Sequence, residues 1–338
     1  MTEIEAFLSV WPVGAAALAY VLCRLAARRG WLPNAVTHRS AHVVPTSRAG
    51  GVVLLAVFVL GICVLTASAG AVAFAPAGVA VAASLLGLAD DIRELDARAK
   101  LLGMIMLSAA GAALIGPMPS PPGLALPLWL GYPLAAFWLL GFLNVFNFLD
   151  GLNGMAAGTG GVLLALLMLG AGLATPLGLV SLALLAPLLG FGLSNVTRGA
   201  PFLGDAGSLL VGGLIAAGAL AGGQAMPILF WAVVAGSVPY LADAALTLTA
   251  RARRGASLME AHSEHAYQDL ARQGCSHAVI ASAYAALAAL AGGATLLLGA
   301  ASVWLTAPAA FALWLLTVRV LRTQAARSAE ARARASKA

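Results

Sequence analysis

About eleven apolar runs, each long enough or nearly long enough to cross a bilayer, follow one another along this chain. They cover residues 6–26, 50–69, 71–89, 101–117, 128–147, 157–173, 176–193, 207–222, 226–246, 278–299 and 302–321. A backbone in lipid must satisfy its polar groups within its own segment, so runs of this length are helices. The expected fold class is all-α: a polytopic integral membrane protein of about eleven transmembrane helices. With 61% hydrophobic and 9% charged residues and a mean hydropathy of +0.94, the chain has more apolar surface than a water-soluble domain could cover. Its 38 glycines suit helices that approach closely in a membrane. The first run opens with Glu3 and Glu5 instead of a basic segment, so it reads as a retained helix and not a signal peptide.

Charge placement tests this count. With eleven spans, one set of connections holds residues 27–49, 90–100, 148–156, 194–206, 247–277 and the tail from 322. With the adjoining helix ends, that set carries all 19 Lys and Arg, while an opposite loop such as P-M-P-S-P-P-G (117–123) carries none. By the positive-inside rule the charged side is the cytoplasm, the N-terminus lies outside and the C-terminus inside. The net charge of +6 is then a topology signal, with some attraction for anionic headgroups, and no nucleic-acid partner is needed to explain it. Cys23, Cys63 and Cys275 are scattered, with neither metal spacing nor a disulfide framework.

The acids narrow the reading. Of 13, only Glu3 and Glu5 fall on the outer side. Asp90, Asp91, Asp150, Asp205 and Asp243 each stand at or near the cytoplasmic end of an apolar run. One such residue is ordinarily a cap or a solvated boundary residue. Five on one face imply more, because carboxylates near lipid are costly unless paired, wet or bound to a cation. Asp90 and Asp91 also repel each other, which a divalent metal or a cationic neighbour would relieve. The expectation is a shared polar site at the cytoplasmic surface.

The loops on that side have the matching composition. T-H-R-S-A-H-V-V-P-T-S-R-A-G-G (37–51) combines basic and hydroxyl groups with a glycine pair that lets backbone N–H groups approach a ligand. In N-V-F-N-F-L-D-G-L-N-G (144–154), Asn144, Asn147 and Asp150 share a helical face. P-F-L-G-D-A-G-S (201–208) places Asp205 between two glycines just before a helix, which suits a metal-bound phosphate. Residues 251–268 hold Arg251, Arg253, Arg254, His262 and His265. Taken singly, these have plainer readings. The histidine pair lacks a third zinc ligand, the arginines alone are a topology anchor, and His38, His277 and the tail arginines are unremarkable. Together they describe a phosphate-handling site around a divalent ion.

In order along most of the chain, these motifs resemble the polyprenyl-phosphate N-acetylhexosamine-1-phosphate transferases, the glycosyltransferase 4 family. The first loop matches at Arg39, His42, Pro45, Thr46, Arg48, Gly50 and Gly51. D-D-I-R-E-L-D-A-R-A-K-L-L matches the Asp-Asp loop, with Asp90, Asp91, Leu95 and Lys100. N-V-F-N-F-L-D-G-L-N-G matches the Asn/Asp motif and F-L-G-D-A-G-S the metal-binding Gly-Asp motif. E-A-H-S-E-H-A-Y-Q-D-L-A-R-Q-G-C-S-H looks most like the branch that starts bacterial O-antigen and other surface polysaccharides. The departures are Asn153 in place of a second Asp, Ala200 in place of a basic residue, and Ser47 and Ala49 in place of Pro and Gly.

The resemblance implies transfer of a sugar 1-phosphate from a UDP-N-acetylated sugar, GlcNAc or a 6-deoxy-HexNAc such as FucNAc or QuiNAc, to undecaprenyl phosphate, releasing UMP. It implies Mg²⁺, with Mn²⁺ able to substitute, held by Asp205 with Asn147 beside it. The catalytic candidates are Asp90, which orients or deprotonates the acceptor, with Asp91, His262 and His265. The substrate-binding candidates are Arg39, His42, Arg48, Lys100, Asn144, Asp150, Asn153, Phe202, Ser208, Arg251 and Arg254. Partners are undecaprenyl phosphate, the UDP-sugar and the bilayer of the bacterial inner membrane, with a homodimer allowed. The organisation implied is one catalytic domain, 1–321, with active-site loops at 27–49, 90–100, 144–156, 194–208 and 247–277, and a basic tail at 322–338. The alternatives are a multi-pass transporter, a membrane scaffold, and a relative with another donor such as UDP-MurNAc-pentapeptide. Transporter acids, however, lie near the bilayer midplane.

Overall fold

The protein is described from a computed structural model, which covers residues 3–34, 46–69, 74–197, 201–257, 260 and 262–335. Its helices are α1 (Glu3–Arg29), α2 (Gly50–Ala69), α3 (Phe74–Arg93), α4 (Ala97–Ile115), α5 (Leu128–Phe148) and α6 (Met155–Ala171). There follow α7 (Pro176–Asn195), α8 (Gly204–Ala225), α9 (Pro227–Arg253), the short α10 (Ala266–Arg272), α11 (His277–Leu298) and α12 (Val303–Ala335). Among the described residues nine helices are long and apolar enough to cross a membrane, namely α1, α3, α4, α5, α7, α8, α9, α11 and α12. The apolar helices α2 and α6 are shorter in their described parts. An all-α polytopic membrane protein is what the apolar runs required. Among the described residues the one sheet is minimal: Pro33–Asn34 (β1) pairs antiparallel with Thr46–Ser47 (β2).

Helix α8 is the axis of the bundle, with nearly every residue from Ala206 to Gly223 buried. Glycines allow this. A side chain at Gly87 of α3 would strike the backbone of Asp205 and Ala206, and one at Gly51 of α2 would strike Gly207. Ser84 of α3 donates to the carbonyl of Ala206 at 2.8 Å, and Trp138 of α5 donates to that of Ala216 at 3.0 Å. In lipid such close packing and inter-helix hydrogen bonds drive association, since apolar burial gains little there.

The helices overrun the expected loops in four places. The 90–100 loop shrinks to three residues, because α3 runs on to Arg93 and α4 begins at Ala97, with Asp96 accepting from the N–H of Arg98. Asp90 and Asp91 therefore stand on the last turn of a helix. Helix α8 begins at Gly204, three residues before the expected 207, so Asp205 lies in its first turn. Helix α9 continues to Arg253 past the expected 246. The expected tail is a continuation of α12, which runs unbroken from Val303 to Ala335. In each case hydropathy marks where a segment leaves lipid, not where its backbone hydrogen bonds stop.

Candidate active site

Four elements meet at one end of the bundle. Helix α3 brings Asp90 and Asp91, α4 brings Lys100, α5 brings Asn144 and Asn147, and the first turn of α8 brings Asp205 and Ser208. Nζ of Lys100 lies 2.9 Å from Oδ2 of Asp90 and also donates to Oδ2 of Asp205. Nδ2 of Asn147 donates to Oδ1 of Asp205 at 3.0 Å and to Oγ of Ser208 at 2.8 Å. Lys100 thus relieves the acidic crowding by sitting between two carboxylates from different helices. Asp90 is steadied further by the N–H of Leu95, which donates to Oδ1 at 2.9 Å.

The two neighbouring acids have separate surroundings. Asp91, its side chain only 1% exposed, accepts from the N–H groups of Asp205 and Ala206 at 3.2 and 2.9 Å and lies 3.7 Å from Nη1 of Arg48. It caps α8 from outside that helix, a favourable place for a carboxylate because free N–H groups and the dipole meet there. Asp90 is left as the partly open member, with 19% of its side chain exposed. Asp91, a catalytic candidate with Asp90, has the geometry of a group that positions the start of α8.

A cavity of about 480 Å³ opens beside this cluster, between α4, α5 and the segment before α10. Lys100, Asn144, Asn147, Phe148, His262 and His265 supply its polar and aromatic wall, and Leu101 and Met104 its apolar one. The rings of His262 and His265 are 5.0 Å apart, both close to Phe148. Burial, together with the charges of His265 and Arg251, holds the His262 imidazole below the ordinary histidine range, with Glu264 opposing. A hollow of the same size along α1, beside Phe7, Trp11 and Val64, is almost wholly apolar and far poorer in chemistry.

The remaining candidates divide. Asp150 follows α5, and its carboxyl is pushed well above the usual range, first by burial and then by the charges of Asp205 and Asp91. Oδ1 of Asn153 is buried with no hydrogen-bond partner. Phe202 ties its loop down through the backbone, its N–H donating to Ser47 and its carbonyl accepting from Gly50. Arg251 and Arg254 both donate to Glu264, and Arg251 also donates to the carbonyl of Ser257 at 2.6 Å. These arginines, expected as substrate ligands, brace their own loop through Glu264, and the Arg254 side chain stays 59% exposed. Arg39 and His42 lie outside the described residues. Sequence reading missed Glu260, Phe148 and Leu101 as wall residues. It also missed Tyr267, whose hydroxyl donates to the carbonyl of Phe148 at 2.9 Å. Only a helix boundary at Phe148 could have suggested that last contact.

The donor set suits a hard divalent cation. Asp90 and Asp205 already direct an oxygen each at one positive group, and Mg²⁺ is commonly held by one or two carboxylates plus substrate phosphates. Among the described residues no three of His, Cys, Asp and Glu gather as a self-sufficient metal site.

Comparison with known proteins now bears on this cluster. The model of glycosyl transferase family 4 matches residues 71–223, the stretch holding Asp90, Asp91, Lys100, Asn147 and Asp205. A decaprenyl-phosphate N-acetylglucosaminephosphotransferase of Mycobacterium leprae (strain TN) is 30% identical over 281 residues, 71% of this chain and 70% of that protein. The chain belongs to glycosyl transferase family 4. Other relatives in this group of polyprenyl-phosphate N-acetylhexosamine-1-phosphate transferases match over shorter stretches. A phospho-N-acetylmuramoyl-pentapeptide-transferase of Synechococcus sp. (strain JA-3-3Ab) is 40% identical over 162 residues, and the match spans 43% of this chain and 46% of the relative. A "Probable undecaprenyl-phosphate N-acetylglucosaminyl 1-phosphate transferase" of Bacillus subtilis (strain 168) is 36% identical over 138 residues, 38% of each chain. The family match ends before His262 and His265.

Proposed function

We propose that this chain transfers a sugar 1-phosphate from a UDP-activated N-acetylated sugar to undecaprenyl phosphate, releasing UMP, at the cytoplasmic face of a bacterial inner membrane. The sugar is N-acetylglucosamine or a 6-deoxy relative, and the product starts O-antigen or another surface polysaccharide. The observation that carries this reading is Lys100 held between Asp90 and Asp205 at the edge of a cavity lined by histidines and asparagines. A relative matched over 281 residues is named for N-acetylglucosamine and a polyprenyl phosphate, which favours that donor over the muramoyl pentapeptide. The gathering of Lys and Arg on one set of loops supports the cytoplasmic assignment.

An oxygen of the lipid phosphate attacks the β-phosphorus of the donor. The new O–P bond forms as the bond from that phosphorus to the α,β-bridging oxygen breaks, and UMP leaves with the bridging oxygen. A phosphate monoester has its second pKa at about 6, so Asp90 has little proton to remove and serves mainly to orient the acceptor. Lys100 lies against both carboxylates and offsets charge as the phosphates crowd together. Asp205, with Asn147 fixed beside it, would hold Mg²⁺, which when bound neutralises charge on the diphosphate. His262 and His265 take the donor side of the cavity.

The test is UMP release by purified protein in detergent with undecaprenyl phosphate and Mg²⁺. Donors to compare are UDP-N-acetylglucosamine, its 6-deoxy analogues and UDP-MurNAc-pentapeptide. Release that needs lipid and metal, and that falls roughly 10³-fold in Asp205→Ala, establishes the transferase and names its donor. Folded protein that releases no UMP from any donor overturns it in favour of a transporter or scaffold.

A further inference from the structure

Asp243, deep in α9, has no place in the chemistry just described, yet it is 1% exposed and its carboxylate is fully engaged. Oδ1 accepts from the N–H of Ala266 at 2.8 Å and from Oγ1 of Thr247 at 3.4 Å. Oδ2 accepts from the N–H of Tyr267 at 3.2 Å and from the hydroxyl of Tyr284 at 2.6 Å. One carboxylate therefore joins α9, the first turn of α10 and α11. Nδ1 of His265 stands 3.4 Å from Oδ1 of Asp243. That side of the imidazole faces the acid while the residue as a whole lines the cavity.

We infer that Asp243 is a positioning residue for the donor side of the site, holding His265 and the start of α10 in the cavity wall. The inference rests on the proposed transferase reading for what the wall binds. A neutral cap could satisfy two N–H groups, and burying a carboxylate is costly unless its partners use the charge. By holding the N–H groups of the two residues that follow His265, the carboxylate fixes the backbone from which that imidazole projects and so places it in the cavity wall. From α10 the hold passes through Tyr267, whose hydroxyl reaches the carbonyl of Phe148, next to Asn147. The ring of Phe148 in turn packs against both histidines. Asp243 thus sets the distance between the histidine wall and the Asn147–Asp205 pair without touching a substrate.

The test is a double-mutant cycle on the full chain, using Asp243→Ala, His265→Ala and the pair, with Asp243→Asn as the conservative variant. Each single change is expected to lower kcat/KM for the UDP-sugar roughly 10- to 100-fold, mainly through donor KM, with KM for undecaprenyl phosphate unchanged. The double variant should be no worse than His265→Ala by more than about 2-fold, since Asp243 acts through that histidine. Asp243→Asn should recover part of the loss. Amide hydrogen exchange gives a readout without turnover: residues 262–270 should exchange faster in Asp243→Ala and 144–154 should not. Losses that multiply in the double variant, or a fall in kcat with donor KM unchanged, overturn the inference, as does unaltered exchange at 262–270. Wild-type protein without UMP release would sink the transferase reading instead, and the exchange comparison would still decide whether Asp243 holds the segment.

Discussion

Asp91 accepts a hydrogen bond from the backbone N–H of Ala206 at 2.9 Å, so the end of α3 caps the start of α8 across the bundle. The adjacent Asp205 is delivered to Lys100 and Asn147 by this cap. Replacing Asp91 with Ala should cost about 0.5–2 kcal/mol of stability, the usual worth of a lost cap, and should also displace Asp205. Asp91→Asn keeps one acceptor oxygen and should retain more stability and more activity than Asp91→Ala. Thermal unfolding in detergent and UMP release measure both. An Asp91→Asn variant as inactive as Asp205→Ala, at wild-type stability, would return Asp91 to a chemical role.

Gly87 makes that cap possible by letting α3 lie directly against the first turn of α8. A methyl group there meets the carbonyl of Asp205 and the N–H of Ala206. Gly87→Ala should destabilise by about 1–3 kcal/mol, the ordinary cost of overpacking, with a further loss of activity because the displaced backbone carries Asp205. Gly78, on the same helix, has nothing within 4 Å of an added Cβ. Gly78→Ala should therefore be neutral or slightly stabilising in the same unfolding measurement.

Asp150 supplies a pH dependence. Burial first, then the charges of Asp205 and Asp91, raise its carboxyl well above the usual range. A group raised on folding contributes stability that is complete below its unfolded pKa, about 3.9, and is lost as pH rises through the folded value. In metal-free buffer the wild-type melting temperature should therefore fall, relative to Asp150→Asn, as pH is raised from about 5 to about 8. The variant should be the more stable of the two at the alkaline end by a few degrees. Parallel melting curves across that range would show that Asp150 is already charged in the folded protein and its carboxyl is not raised.

Much of the site was legible before any fold was known. Asp90, Asp205, Asn147 and Lys100 fall in loops marked by charge at the ends of apolar runs, and the structure gathers them. The arginines of 251–254 could not be read this way. A guanidinium near a phosphate site and one folding its own loop have the same sequence signature, and the pairing of Arg251 and Arg254 with Glu264 is visible only in three dimensions. Asp243 was recognisable as an acid near the end of an apolar run, but its partners Tyr267 and Tyr284 lie 24 and 41 positions away. No local pattern links them.

The sequence by itself determined that this chain is a bundle of membrane helices, because lipid cannot solvate a backbone and apolar length is a local property. It also determined which residue types carry the chemistry, since carboxylates beside lipid need a reason to be there. Only the tertiary structure decided which of two adjacent acids meets Lys100. Asp90 and Asp91 differ by about 100° around α3, and the packing of α8 against Gly87 turns one to cap a helix and leaves the other open to Lys100.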